Sequence, residues 1–226
     1  MTHILVAEGY GGYGIDVRAR VSWSHYPETT QAHLHVYALD PTSANDIASK
    51  SVSYFQPGVF IIGNHADELT PWVPVLSTLH DASGYLSIPC CSWAFDSKFE
   101  RSSTSPYPVP DSDFVCNLNL GGDGSNSSSY SMYRIWLASL SLHCGWEVES
   151  ETLRIPSTRN WAIIGVFLFN KERFRLILLI LSKSGRKRLS TMSKEDALGN
   201  VADIIKNVRH RGMFKTRKPE GKAVDH

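Results

Sequence analysis

Gly58-Val-Phe-Ile-Ile-Gly-Asn-His-Ala-Asp-Glu-Leu-Thr-Pro-Trp72 is the stretch on which the reading of the fold turns. Gly58 to Gly63 is a continuous apolar run, the pattern of a parallel strand covered on both faces. At Asn64 the chain turns mostly polar, and Thr70 then predicts a helix cap with Pro71 at the first helical position. Trp72, Val75, Leu76 and Leu79 follow on one face of that helix. A buried strand, a polar mouth and an amphipathic helix make one β-α unit.

Units of the same kind extend in both directions. Upstream, His3 to Gly9 reads as the last turns of a helix closed by glycine. Gly12 to Arg18 is a short strand carrying Asp16, and Val36 to Asp40 is a second strand stopped by Pro41. A chain whose first residues end a helix predicts a further strand upstream. Downstream, Tyr85 to Pro89 is a strand and Ser131 to Cys144 a helix stopped by Gly145. Trp146 to Glu149 and Trp161 to Gly165 are two last strands flanking Ile155-Pro-Ser-Thr158. Strands alternating with helices predict an α/β fold with a mostly parallel sheet, and the closing strand pair an antiparallel edge. That ending suits a Rossmann-like class I methyltransferase sheet better than a dinucleotide dehydrogenase. Ser102 to Ser129 is rich in Ser, Pro, Gly and Asn and reads as a loop insertion.

Composition sets looser bounds. The 226 residues suffice for one domain with a real core. Bulk charge names no partner, since 23 basic residues face 22 acidic ones. Distribution says more: Lys183, Arg186, Lys187 and Arg188 form one basic cluster, and Arg209, Arg211, Lys215, Arg217, Lys218 and Lys222 a second, an electrostatic footprint for a phosphate backbone or a solvated tail. The four cysteines, with Cys90 and Cys91 adjacent, lack zinc-site spacing, so no metal is expected. No apolar run follows a basic start as in a signal peptide, and none is long enough to span a bilayer, which predicts a cytoplasmic protein with reduced thiols.

In open α/β sheets ligands bind outside the carboxyl ends of the strands, so the polar residues there are the candidates. Asp16 can accept both ribose hydroxyls of a nucleoside cofactor, because a carboxylate offers two oxygens side by side. Asp40 suits an adenine amino group, or equally the turn that follows it. Asn64 to Glu68 concentrates polar groups at the mouth of a buried strand, at a desolvation cost that packing alone does not explain. Asn64 is placed with the cofactor, and His65 and Asp67 are acid-base candidates; helix capping by Asp67 or Thr70 is the competing reading. Lys98 suits a phosphate or a ribose hydroxyl, or is a surface charge. Cys90 and Cys91 read as packing residues, since nothing adjacent would depress a thiol pKa. Arg154 and Arg159, with two hydroxyls between them, suit a phosphate contact or a plain connection.

Four blocks then carry a resemblance: Gly14-Ile-Asp-Val-Arg18, Ile62 to Trp72, Ile88-Pro-Cys-Cys-Ser-Trp93 with Phe95-Asp-Ser-Lys-Phe99, and Leu153-Arg-Ile-Pro-Ser-Thr-Arg-Asn160. Together they resemble the eukaryotic tRNA (uracil-2'-O)-methyltransferases over residues 1–165. The resemblance implies S-adenosyl-L-methionine as methyl donor and, as acceptor, the 2'-hydroxyl of a uridine beside the variable loop of serine-type tRNA. It implies that Asp16 holds the cofactor ribose and that Asn64 to Glu68 form the reaction edge. Lys98 is grouped with His65 and Asp67 as catalytic, and Arg154, Arg159, Arg186, Lys187 and Arg188 as RNA-binding.

The chain departs from that pattern in three places. The glycine-rich turn that cradles the cofactor's methionine end is expected just before residue 1. Residues 102–129 are inserted. Val166 to Ser182 is an extra apolar stretch before the basic segment and reads as a translated intron. The domain reading is a partial methyltransferase domain over 1–165, followed at 166–226 by the apolar stretch and a basic tail. The competing function is a catalytically inactive, truncated methyltransferase-like module that binds tRNA or a protein. A nicotinamide oxidoreductase stands third.

Overall fold

The structure is a computed structural model that describes residues 1–43, 54–101, 106–107, 116, 128–156, 159–167 and 192–215. The chain divides into two compact units, one built on Met1–Tyr54 and one on Phe55–Phe214. The architecture is mixed α/β, with parallel and antiparallel strands in two open sheets.

The first unit holds helix α1 (Thr2–Ala7), strand β1 (Gly14–Asp16), a 3-10 turn at Val21–His25, helix α2 (Glu28–Gln31) and strand β2 (Leu34–Val36). β1 and β2 pair in parallel, with Gly14 opposite Leu34 and Asp16 opposite Val36. The sequence predicts the second strand over Val36 to Asp40; it begins two residues earlier, at Leu34, and ends at Val36. Asp40 accepts hydrogen bonds from the Thr42 amide (2.9 Å) and hydroxyl (2.6 Å), so the chain there is committed to a turn.

The second unit holds β3 (Phe60–Asn64), α3 (Trp72–Leu79), β4 (Gly84–Ile88), α4 (Ser129–His143), β5 (Trp146–Thr152), β6 (Trp161–Phe167) and α5 (Lys194–Arg211). The strand order is β3-β4-β6-β5. β3 and β4 are parallel, and β6 runs between β4 and β5 antiparallel to both. The antiparallel ending is as the sequence implies. β6 runs two residues beyond Gly165: Val166 pairs with Gly84 and with Glu147, and Phe167 with Trp146. The start of the presumed intron is therefore sheet; the remainder of that stretch, most of the insertion at 102–129, and Arg186, Lys187 and Arg188 lie outside the described residues.

The core of this unit is aromatic. Trp72, Tyr85, Trp146 and Trp161 are buried, and Trp146 donates its indole N–H to the Thr78 hydroxyl at 2.8 Å and the Pro74 carbonyl at 3.1 Å. Gly165 is required beside Tyr85, because a Cβ there would overlap the tyrosine ring.

Two local readings change. Thr70 does not cap α3: it follows a 3-10 turn at Asp67–Leu69 and is already helical (φ −51, ψ −50), whereas a capping hydroxyl needs extended backbone. Pro71 takes the N-cap position, and the Thr70 hydroxyl is buried without a hydrogen-bond partner among the described residues. Within the basic tail, Lys194–Arg211 is an amphipathic helix with a Ser193–Asp196 capping box and left-handed Gly212 (φ 63) at its end. Its buried face, Ala197, Val201, Ile204, Ile205 and Val208, belongs to a helix that packs against α3. No helix among the described residues is long and apolar enough to cross a membrane.

Candidate active site

Because β3 and β4 run up and β6 runs down, three connections emerge at one edge of the second sheet. They are the loop after β3, the loop after β4, and the β5–β6 connection from Leu153 to Asn160. Three of the four blocks singled out in the sequence meet there.

The loop after β3 extends the ladder by one bond, from the His65 amide to the Ile88 carbonyl at 3.2 Å. His65 (φ 53) and Asp67 (φ 46) are both left-handed. Such backbone costs a non-glycine residue on the order of 1 kcal/mol and collects at functional sites. His65 and Asp67 form no hydrogen-bonded dyad among the described residues; Asn64 and His65 are exposed, and Asp67 instead accepts the Cys90 thiol at 3.3 Å. Burial first, then neighbouring Cys91 and Asp67, push the Cys90 thiol up to about 12. It therefore carries its proton at neutral pH and is no nucleophile.

The loop after β4 is a tight hairpin. Trp93 and Lys98 bridge, Ala94 donates to the Ser97 carbonyl at 2.8 Å, and Phe95 is left-handed (φ 69). The buried Phe95 ring packs edge-on against Trp72, with centroids 4.9 Å apart, which anchors the loop to the core. Lys98 is exposed, with its ammonium 5.3 Å from the Trp93 ring centroid. Asp96, its side chain only 5% exposed, is held by Arg211 of α5 in a two-pronged pair at 2.7 and 3.2 Å.

The third connection brings Arg159 to the same place. Its guanidinium donates to the Cys90 carbonyl and lies 5.0 Å from the Tyr130 ring centroid. Tyr130, at the start of α4, donates to the Pro89 carbonyl at 3.0 Å. Arg134, buried one turn on, lies 4.3 Å from the Trp161 ring centroid and 5.8 Å from that of Tyr130. Burial raises the Tyr130 pKa, against the opposing pull of the two guanidiniums. Sequence reasoning missed Tyr130 and Arg134: Arg134 lies inside a helix whose apolar face drew the attention, and nothing local in the sequence places Tyr130 against Pro89. Arg154 is exposed in the same connection.

In the first unit Asp16 ends β1. One carboxylate oxygen accepts the Arg18 amide at 3.2 Å and the other the Arg20 guanidinium at 2.8 Å. Asp40 sits beyond the end of the neighbouring parallel strand. A carboxylate has roughly four acceptor sites, so Asp16 retains capacity, and two acids beside the carboxyl ends of adjacent parallel strands fit a nucleoside.

Comparison with known proteins adds the rest. A family model described as "Predicted AdoMet-dependent methyltransferase" matches residues 1–41, the segment containing both acids. The tRNA (uracil-O(2)-)-methyltransferase of Schizosaccharomyces pombe is 36% identical over 198 residues, covering 76% of this chain and 35% of that protein. Over those residues this chain is similar to that enzyme. The Saccharomyces cerevisiae enzyme of the same name is 34% identical over 208 residues, 74% of this chain and 35% of the yeast protein. A "Probable tRNA (uracil-O(2)-)-methyltransferase" of Drosophila melanogaster is 31% identical over 226 residues, 96% of this chain and 38% of the fly protein. The chain thus spans little more than a third of the length of the relatives it matches. No solved structure matches it.

Proposed function

We propose that this chain carries the cofactor acids and the reaction edge of an S-adenosyl-L-methionine-dependent methyltransferase that acts on the 2'-hydroxyl of a uridine ribose in tRNA, of the serine type, in the cytoplasm. One observation carries the reading. The connections at 64–68, 89–98 and 153–160 converge at one sheet edge, bringing an acid, a histidine and an arginine–aromatic stack together on a chain related to tRNA methyltransferases.

When bound, S-adenosyl-L-methionine supplies an electrophilic sulfonium methyl. Asp16 and Asp40, in the first unit, would hold its ribose and adenine; Asn64 stands at the reaction edge of the second unit. The remaining work is alignment of the ribose oxygen and removal of its proton. Asp67 or His65 takes that proton, and Lys98 steadies the acceptor. Arg154 and Arg159 offer charge to the tRNA backbone, with Arg186, Lys187 and Arg188 adding to it. The face of the Tyr130 ring attracts the Arg159 guanidinium, 5.0 Å from its centroid.

The Arg20 clamp on Asp16 favours a second reading, a module that binds tRNA or a protein without cofactor. Calorimetric titration of S-adenosyl-L-methionine into the folded chain, followed by a methyl-transfer assay on unmodified serine tRNA, separates the two. Binding in the micromolar range with transfer to a ribose supports the enzyme. A folded chain that takes up tRNA but no cofactor supports the module.

A further inference from the structure

The methyl-transfer reading leaves two thiols unused. The sulfur atoms of Cys90 and Cys91 and a carboxylate oxygen of Asp67 all lie within 4.8 Å of one another, in half-buried positions. We propose that Asp67, Cys90 and Cys91 form a three-ligand site for zinc, with its fourth coordination position open at the mouth of the sheet edge.

The spacing suits that ion. Two sulfurs bound tetrahedrally at about 2.3 Å stand about 3.8 Å apart, and a sulfur and a carboxylate oxygen about 3.6 Å. Both separations are compatible with three donor atoms that lie within 4.8 Å of one another. The Cys90 sulfur and the Asp67 oxygen are already 3.3 Å apart, so that pair opens by only about 0.3 Å to receive the metal. Softness selects the ion as well: two thiolates favour zinc and exclude magnesium and calcium, which take oxygen ligands.

Charge closes too. Two thiolates and a carboxylate carry −3, the ion +2, and the Arg159 guanidinium, bonded to the Cys90 carbonyl, brings the group to neutrality. On binding, each thiol proton leaves to solvent as its sulfur takes the metal, and no electron is transferred. Asp67, whose backbone is left-handed (φ 46), is also the residue whose carboxylate meets the Cys90 thiol. Three protein ligands and one open position are the pattern of zinc that meets a substrate rather than zinc that only braces a fold. Resting on the methyl-transfer reading, the site makes Asp67 a metal ligand and leaves His65 to accept the proton.

The test is a titration of zinc into the full chain after stripping with a chelator, with cobalt(II) as a spectroscopic substitute. We expect one ion per chain and, with cobalt, sulfur-to-metal charge-transfer bands together with tetrahedral visible bands. Cys90→Ser and Cys91→Ser should each weaken binding by about tenfold or more. Asp67→Asn should weaken it while retaining the sulfur bands, and Cys116→Ser, at an exposed thiol, should leave it unchanged. No uptake by the folded chain, or uptake undiminished in both Cys90→Ser and Cys91→Ser, overturns the site. Circular dichroism on each variant separates lost ligation from lost folding. A stripped chain that takes up no zinc yet methylates tRNA overturns the zinc site alone, whereas tight zinc uptake without methyl transfer supports the site and overturns the enzyme.

Discussion

The two sheets differ in what stands behind them. The four-stranded sheet of the second unit is backed by Trp72, Tyr85, Trp146 and Trp161, each at most 2% exposed. In the first unit only Thr30 and Pro41 are buried among the described residues, while Ile4, Tyr10, Tyr13 and Val21 are exposed. Its order comes instead from polar and ring contacts: His3 with the Thr30 hydroxyl at 2.9 Å, His33 with the Gly12 carbonyl at 2.8 Å, and the Tyr13, His35 and Tyr54 rings edge to face. Removal of apolar area from water is the main stabilising term, so the second unit has a core of its own and the first has little. The proposed chemistry divides in the same way. The acids that suit a nucleoside stand on the thinly backed strands, and the reaction edge on the densely packed ones. Positions that must hold to a fraction of an ångström belong on rigid elements.

The contrast can be broken by mutation. Trp146→Ala removes a buried indole and two hydrogen bonds from the second unit, and should cost about 3–5 kcal/mol in denaturant unfolding. Loss of less than about 1 kcal/mol would mean that the aromatic core is not what holds that sheet. Arg159→Ala sharpens the contrast at the edge: tRNA affinity should fall about tenfold, and the slope of log affinity against log salt should become shallower by about one. An unchanged slope would confine Arg159 to bracing the Cys90 carbonyl. Ser193→Ala removes one half of the α5 capping box and should destabilise by about 1 kcal/mol, read from the melting midpoint. Ile4→Ala, at an exposed position of α1, should change stability by no more than about 0.5 kcal/mol. A larger loss would show that the first unit depends on a packed face after all.

Legibility followed the range of the interactions. β3 and β4 could be read because a continuous apolar run between turn residues is a local signal, and the antiparallel ending because a short connection joins the last strands. α5 was hidden by its charges, although Ala197, Val201, Ile204, Ile205 and Val208 repeat at helical spacing and Ser193, Asp196 and Gly212 mark both ends. The basic residues drew the reading toward a tail. Thr70 misled because the cap rule assumes an extended residue, and here a 3-10 turn leads into the helix. At the site, the Asn64 to Glu68 loop announced itself by its polarity. The Asp67–Cys90 bond, the Asp96–Arg211 pair and the Arg159–Tyr130 stack could not be read, since each joins residues that only the strand order brings together. The same limit concealed the candidate zinc ligands: Cys90 and Cys91 lack zinc spacing by themselves, and the third donor comes from another loop.

The most direct test of the division between the units is one pair of variants measured side by side, Asp16→Asn and Asp67→Ala, for S-adenosyl-L-methionine affinity and for turnover on unmodified serine tRNA. The account predicts that Asp16→Asn weakens cofactor binding by about tenfold or more, and that Asp67→Ala leaves binding nearly intact while turnover falls by about a hundredfold or more. Equal losses of affinity and turnover in Asp67→Ala, or full cofactor affinity in Asp16→Asn, would contradict it.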